Sequence, residues 1–510
     1  MTVRSVKKRF FISFGANFLR SVVSFASGLL VAKGLHPSGY GDLMFLLTSF
    51  VAAKSLLDLG TSNAYYTLLS QQRQSARFHL VYLGWLAFQF GACLLAITLL
   101  FPRRAVEAIW LGHSTGVILL AFVASFLQQQ VWQTVTQVGE AARRTALVQG
   151  LGFIIALFQL AAIGLMLMFG WLSVPNVLIL FAVEYGVATL WACLMLWSPA
   201  TKDAAPVIER PVRDFLREYY VYCKPLALLA VFAFLYEFAD RWLLQRFGGS
   251  IQQGFFQVAN QFSIITLLAT TSILKIFWKE IAEASARGNR ETLAALYFKV
   301  GRALLVAGAV LSGLLIPWSR TIVRETLGLA YLEAWPVLAL MLLYPIHQAM
   351  GQIGGTFLLA RGETRLFTGL SIVAALVGAV MSYFVQAPPS GVLVPGLGLG
   401  AIGMALKMVI LNIVTTNAQA WMIARRNGWA YDWAHQLFSV SFVIALAYVI
   451  YFPVSRIWDL NQALFPGLVL PITLFCLVYG LVVVGLFLKF PSLIGLNRGE
   501  VQGMFRGLGA

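Results

Sequence analysis

The stretch Leu226–Gly249, LALLAVFAFLYEFADRWLLQRFGG, sets Glu237, Asp240 and Arg241 inside a run that is otherwise soluble in oil. Similar intrusions recur: Arg20, Lys54 with Asp58, and Lys275 all sit within long apolar segments. A charge at the centre of a membrane helix costs roughly 2.5–3.5 kcal/mol even on the lenient insertion scale, so such residues face one another, a bundle interior or a water-filled cavity. The cations Arg20, Lys54, Arg241 and Lys275 are the candidate binding residues. Their excess positive charge suits an anion that cannot cross hydrocarbon unaided, and a diphosphate is the natural one. The carboxylates Asp58 and Asp240 are the candidate coupling groups, because burial and nearby cations push a carboxyl's proton affinity in opposite directions. Glu237 lies one turn before Arg241 and reads as its structural partner. Asp240 is about 300° of helical rotation from Glu237 and is left to seek a partner on another helix, such as Lys54 or Arg20.

Each of these residues has a structural reading beside the functional one, in which charges pair and hold helices together. For Glu237–Arg241 both readings stand. Lys54 and Asp58 continue into Thr61 and Tyr65 at i, i+4, i+7 and i+11, a single polar helix face, which favours function. Arg20, with Ser24 and Ser27, and Lys275, with Asn260 and Thr271 on its face, have no charged partner within their own helices. Gln129, Gln133, Gln137 and Glu140 read as interhelical hydrogen bonding. Lys33 and Lys407 are expected to snorkel to an interface. No catalytic residues are expected, because His/Asp/Ser constellations, phosphate-cradling glycine loops and metal-ligand spacings are missing. The cysteines 93, 193, 223 and 476 read as small packing residues. No metal, no cofactor and no enzymatic activity are expected.

The elements that must position these side chains are membrane helices. Of 510 residues, 59% are hydrophobic and 11% charged, with mean hydropathy +0.80, where soluble domains carry about 25% charged residues. Apolar runs of about 20 residues cross a ~30 Å hydrocarbon core as helices. They fall at 11–33, 40–70, 80–101, 114–138, 145–170, 174–197 and 219–247, and then at 252–278, 295–317, 335–360, 365–386, 398–424, 434–453 and 467–490. The expectation is an all-α polytopic membrane protein of about 14 transmembrane helices.

Lysine and arginine set the orientation. The N-terminal tail and every second connection are basic, for example Arg143/Arg144, Arg361/Arg365 and Arg425/Arg426. The alternate loops hold only Arg103, Arg104, Arg320, Arg324 and Arg456. Both termini are therefore expected in the cytoplasm. Trp110, Trp171, Trp197, Trp318, Trp335, Trp429 and Trp458 fall near span ends, as an interfacial belt requires. The net charge of +17 is then mostly topology and attraction to anionic membrane lipids, with no nucleic acid implied.

Two halves echo each other. GLHPSGYGD (34–42) follows the first span and FGGSIQQGFFQ (247–257) the seventh, setting Gly39-Tyr40 opposite Gly254-Phe255; Gly139-Glu140 likewise matches Gly362-Glu363. We read residues 1–197 as an N-terminal six-helix lobe and 198–218 as a cytoplasmic linker. Residues 219–424 form a C-terminal six-helix lobe, and 425–510 two extra helices and a cytoplasmic tail. Six spans return the chain to its starting side, so the lobes are expected to be parallel repeats about a pseudo-two-fold axis along the membrane normal.

The run from Gly28 through Leu35-x-Pro37-x-Gly39-Tyr40-Gly41, with Leu57-Asp58-Leu59-Gly60, resembles the first-half signature of polysaccharide-type (Wzx) lipid-linked oligosaccharide flippases. Asp240-Arg241 and Gly254-Phe255-Phe256-x-Val258-Ala259 are similar to the second-half signature. These flippases belong to the multidrug, oligosaccharidyl-lipid and polysaccharide exporter superfamily. The resemblance implies a polyprenyl-diphosphate-linked oligosaccharide as cargo, moved from the cytoplasmic to the periplasmic leaflet of the bacterial inner membrane by alternating access, with helices 13 and 14 shaping a groove for the lipid tail. It also implies partnership with a polysaccharide polymerase and chain-length machinery. Three alternatives stand beside it: a peptidoglycan lipid-intermediate flippase, whose site would also be cationic; a cation-coupled multidrug exporter, which the cationic pocket disfavours; and a membrane polymerase or glycosyltransferase, which the short outer loops disfavour.

Overall fold

The computed structural model describes residues 3–71, 74–196, 211–267, 277, 280–281, 283–285, 287, 289–458, 467–495 and 499. They form helices and connecting turns. With no water in a bilayer to satisfy backbone groups, a helix is the one open-chain conformation that meets all its hydrogen bonds internally. Large apolar side chains accordingly cover the outside: along Val174–Leu196, Val183, Val187, Leu190 and Leu194 are all exposed. At i, i+4, i+7 and i+11 they form one lipid-facing stripe.

The chain divides into two compact units, residues 1–254 with 375–400, and residues 255–374 with 401–510. The first unit begins with α1 (Val3–Asp58), which contains a break at His36, where φ is 57° and ψ 173°. Pro37, without an N–H and with a ring that restricts the residue before it, explains the break. Leu59 and Gly60, at φ 46° and 86°, end α1, and α2 (Thr61–Gln71) follows. Next come α3 (Ala76–Leu95), the short α4 (Arg103–Ile109) and α5 (Thr115–Phe126). A π-helical turn, Leu127–Val131, leads into α6 (Trp132–Ala141), followed by α7 (Thr145–Met168) and α8 (Val174–Leu196). Helix α9 (Val212–Leu243) ends in another π turn, Leu244–Gly248, before α10 (Gly249–Thr266). Within this unit α1 packs along α7 and α9, and α5 along α8.

Where the two motifs rich in glycine meet, backbones nearly touch. A Cβ on Gly41 would lie 1.8 Å from the Ser250 carbonyl oxygen, and one on Gly254 would lie 2.2 Å from that of Pro37. Beside this crossing the Asp42 carboxylate accepts hydrogen bonds from Ser250 Oγ and from Gln245 Nε2 at 3.0 Å, with His113 Nε2 at 3.5 Å.

In the second unit, helix Arg290–Leu315 packs against Tyr344–Ala360 and Trp433–Ile457, and the latter against Val469–Lys489. Asn289 and Asp432 start two of these helices by accepting from Thr292 N and His435 N, each at 3.0 Å, the standard way of satisfying an orphan first-turn donor. Phe475, Tyr479, Ala447 and Ala309 sit in one apolar core. Two basic connections meet at Glu363, which lies 3.5 Å from Arg361 and 3.3 Å from Arg426.

The span count is not confirmed, and two side chains sit otherwise than expected. By length and composition the described residues contain 11 helices able to cross a membrane, or up to 12 with the pair bent by 55° in Val212–Thr266, so the exact count of fourteen is neither confirmed nor excluded. The reason lies in fused passes: Asn17–Asp58 counts once although it holds 42 residues, which as a straight helix would run about 63 Å, twice a ~30 Å core. Lys407 does not snorkel; it is fully buried. Trp318 packs inside the protein and does not face lipid. It is 4% exposed, with ring centroids of Tyr451 and Phe475 at 5.2 and 5.6 Å. Trp171 and Trp335 do remain exposed.

Candidate cation-lined cavity in the first unit

Arg20 projects from α1 into a cavity of about 300 Å³. Its walls are Ser21 and Ser24 from α1, Gln128 from the π turn, Trp132 from α6, Gly152, Ile155, Ala156 and Gln159 from α7, and Tyr185 from α8. Gly152 makes room for the cation: a Cβ there would stand 3.2 Å from Arg20 Nη1 and 3.4 Å from its Cδ. Behind the wall, Trp132, Val135, Leu151, Ile155, Ala188 and Ala192 pack as one apolar cluster. Gln128 Nε2 donates to the Tyr185 hydroxyl at 3.0 Å, which leaves that hydroxyl's own proton free to point elsewhere. Arg20 makes no ion pair among the described residues. A guanidinium with five donors and no acceptor, among hydroxyl and amide groups, is chemistry for receiving an anion. Ser27 takes no part; it is buried and donates to Val23 O at 3.0 Å.

Lys54 lies further along α1 and donates to Gln133 Oε1 of α6. Asp58 contributes a Coulombic attraction to it. Trp132 and Gln133 are neighbours, so one short helix touches the Arg20 cavity with one residue and holds Lys54 with the next. Asp58 itself accepts from Thr61 Oγ1 at 3.0 Å and from Ser62 N and Oγ at 2.8 Å each. That arrangement caps the start of α2.

The opening triplet divides its work. Glu237 and Arg241 interact electrostatically along α9. Asp240 is buried and accepts from Ser382 Oγ, on helix Thr364–Gln386. The partner found for it is thus a hydroxyl 142 residues away in sequence, in addition to any electrostatic neighbours. Lys275 lies outside the described residues.

One acidic residue escaped the sequence reading. Glu184, the only charged residue of α8, is 5% exposed, and neither of its carboxylate oxygens has a hydrogen-bond partner. With Ala188 and Ala192 it forms the buried side of α8, opposite the lipid-facing stripe. The signal that could have found it was its spacing at i, i+4 and i+8 with two alanines.

No protein-family profile and no curated relative matches the sequence. Solved structures do. The lipid II flippase MurJ, in an inward closed conformation, is similar over 93% of this chain and 98% of its own, with a TM-score of 0.62 at 12% identity. An inward-facing multidrug resistance MATE family transporter of the MOP superfamily matches over 80% and 95%, with a TM-score of 0.56 at 15% identity. A MOP superfamily transporter from Pyrococcus furiosus, described as having a binding pocket of reversed polarity, matches over 82% and 94%, also at 0.56 and with 14% identity. The chain is an all-helical, multi-pass membrane protein with the fold of MOP superfamily transporters. These neighbours are flippases and transporters.

Proposed function

We propose that this chain is a flippase for a polyprenyl-diphosphate-linked oligosaccharide, carrying it from the cytoplasmic to the periplasmic leaflet for surface or secreted polysaccharide synthesis. The observation that carries the reading is Arg20, a guanidinium with no ion pair among the described residues, set in a polar cavity of about 300 Å³ within a transporter fold. Its charge receives the diphosphate, and Lys54 and Arg241 are assigned to the same anionic cargo; Lys275, outside the described residues, keeps the cargo-binding assignment that its sequence position suggests. Asp58 and Asp240 are the carboxylates assigned to coupling, and Glu237 neutralises Arg241. On this reading the chain is a transporter and no enzyme, spans the inner membrane with both termini cytoplasmic, and makes two passes within Asn17–Asp58. The MurJ neighbour is named for lipid II, another lipid-linked cargo, which supports the cargo class and makes a peptidoglycan-precursor flippase the second reading.

The test is a null strain without a paralogue, followed by leaflet-specific labelling of lipid-linked sugars. Loss of the polymer with repeat units trapped on the cytoplasmic leaflet is expected. Normal polymer with trapped peptidoglycan precursor selects the second reading, and normal distribution of both refutes the proposal. Arg20→Ala should reproduce the null phenotype at near wild-type protein abundance, since removing an unpaired cation leaves no partner stranded.

A further inference from the structure

Between helix Thr364–Gln386 and helix Gly400–Asn427 runs APPSGVLVPGLGL, residues 387–399. A connection that leaves a membrane for water is ordinarily polar. This one carries a single side-chain hydroxyl, Ser390, and no residue from Leu366 to Leu406 is charged. Leu393 is 99% exposed, and Val394, Leu397 and Leu399 are exposed as well. Exposed leucines scattered singly need no explanation, but a contiguous apolar patch marks a surface that something covers.

The loop folds back onto the helix it has just left. Gly396 N donates to Pro388 O at 3.1 Å, Leu397 N to Phe384 O and Gly398 N to Ala387 O at 2.8 Å each, and Leu399 N to Val385 O at 2.9 Å. Phe384 and Val385 belong to the last turn of that helix, whose carbonyls have no intrahelical partner. The Tyr383 hydroxyl donates to Val394 O and Gln386 Nε2 to Gly400 O, both at 2.9 Å. Only glycine fits at 396, where a Cβ would stand 2.5 Å from Ala387 O and 2.7 Å from Phe384 O. Pro388, Pro389 and Pro395 have no N–H to satisfy. This backbone asks for less water than an open loop does, which suits it to the interfacial layer of a bilayer, where water is scarce, though not to the hydrocarbon core.

On the helix before the loop, Leu376, Val380 and Phe384 stand at i, i+4 and i+8 and, with Val377, form an exposed apolar face. Phe384 closes that face beside Tyr383, whose hydroxyl holds Val394, so the apolar surface runs on past the helix end into the loop. We propose that residues 387–399 form a hook that lies in the membrane surface, with Leu393, Val394 and Leu397 inserted among the lipid headgroups and upper acyl chains. The occupant is lipid. Continuity with the apolar face of the helix, the absence of charge and the closed backbone favour it over a protein partner, whose interface would be rimmed with polar residues. The inference rests on the multi-pass membrane fold and on neither the cargo nor the sidedness of the chain.

The experiment uses the purified full chain, with cysteines 93, 193, 223 and 476 replaced by serine, at one copy per nanodisc of phosphatidylcholine and phosphatidylglycerol. Leu393→Cys and Leu397→Cys each carry a nitroxide spin label, and Ala142→Cys, exposed in the turn after α6, is the aqueous control. Leu393 is almost wholly exposed, so its replacement removes little packing and folding is not at risk. Electron paramagnetic resonance compares collisions with oxygen, which concentrates in lipid, and with a water-soluble nickel chelate. Labels at 393 and 397 should favour oxygen, and the label at 142 nickel. Adding Leu393→Asp should shift the label at 397 towards nickel, because a charge at the tip resists leaving water. A preference for nickel at 393 and 397 overturns the proposal, since the loop then faces water. Shielding from both reagents overturns it too, since protein then covers the loop, and so does a label at 397 that Leu393→Asp leaves unmoved. None of these readouts depends on the cargo, so failure here and failure of the flippase reading are separate results.

Discussion

Adding one methyl group at Gly41 should pry apart the crossing of the two motifs rich in glycine. The new Cβ would stand 1.8 Å from Ser250 O, 2.7 Å from its carbonyl carbon and 2.9 Å from Gly254 N. All three are backbone atoms, so no side chain can swing aside. A tolerable carbon–oxygen separation is about 3.3 Å, which requires the segments to part by roughly 1.5 Å. Overpacking of this kind typically costs about 1–3 kcal/mol. Parting also loosens the hydrogen bonds that Asp42 accepts from Ser250 and Gln245, each worth about 1.5–3 kcal/mol when the acceptor is charged. We take about 3 kcal/mol as the net effect, equivalent to roughly a hundredfold shift in the population with the crossing open.

Gly39→Ala is the control, since its Cβ meets only Leu35 Cβ of the same helix at 3.4 Å; it should be neutral or stabilising by up to about 1 kcal/mol. The reporter is Gln253→Cys, a position with 0% exposure, in a background where the free cysteines 93, 193, 223 and 476 are replaced by serine. In lipid nanodiscs, where reagent reaches both faces, maleimide should label the introduced thiol about a hundredfold faster with Gly41→Ala and at the parental rate with Gly39→Ala. Equal labelling rates in all three proteins would show that the backbones do not meet as closely as described.

Asp58→Ala should lower stability by about 0.5–2 kcal/mol through loss of the α2 cap, read as a reduced Tm of the purified protein, whereas Asp58→Asn should retain most of it because an amide oxygen still accepts from Ser62 N. Orientation can be read by labelling intact cells with a membrane-impermeant maleimide: Ser173→Cys, between α7 and α8, should react from outside, and Ala142→Cys, beside Arg143 and Arg144, should not. The reverse pattern would invert the assigned topology.

Much of this protein was legible in its sequence because a bilayer asks a simple question of each segment. Hydropathy summed over about 20 residues decides whether a helix can cross, and this needs no knowledge of neighbours. The helical class was visible on that basis, and the motifs with Gly41 and Gly254 were visible as matching stretches of the two halves. The buried charges drew attention for the same reason, and Arg20 does line a polar cavity.

What the sequence could not decide was partnership, because a helical wheel describes only its own helix. Lys54 meets a glutamine 79 residues away and Asp240 a serine 142 residues away, while Asp58 turns out to cap the helix that follows it. Nothing in the local patterns of Lys407 and Trp318 distinguishes an interfacial side chain from a buried one, yet both are buried. Glu184 shows the limit most clearly. Its spacing with Ala188 and Ala192 marks a packed face, but the isolation of its carboxylate depends on what α1, α5, the π turn, α6 and α7 place around it. Of those elements, α5, the π turn and α7 contribute no titratable group at all. Only packing in three dimensions decides whether a buried acid finds a partner.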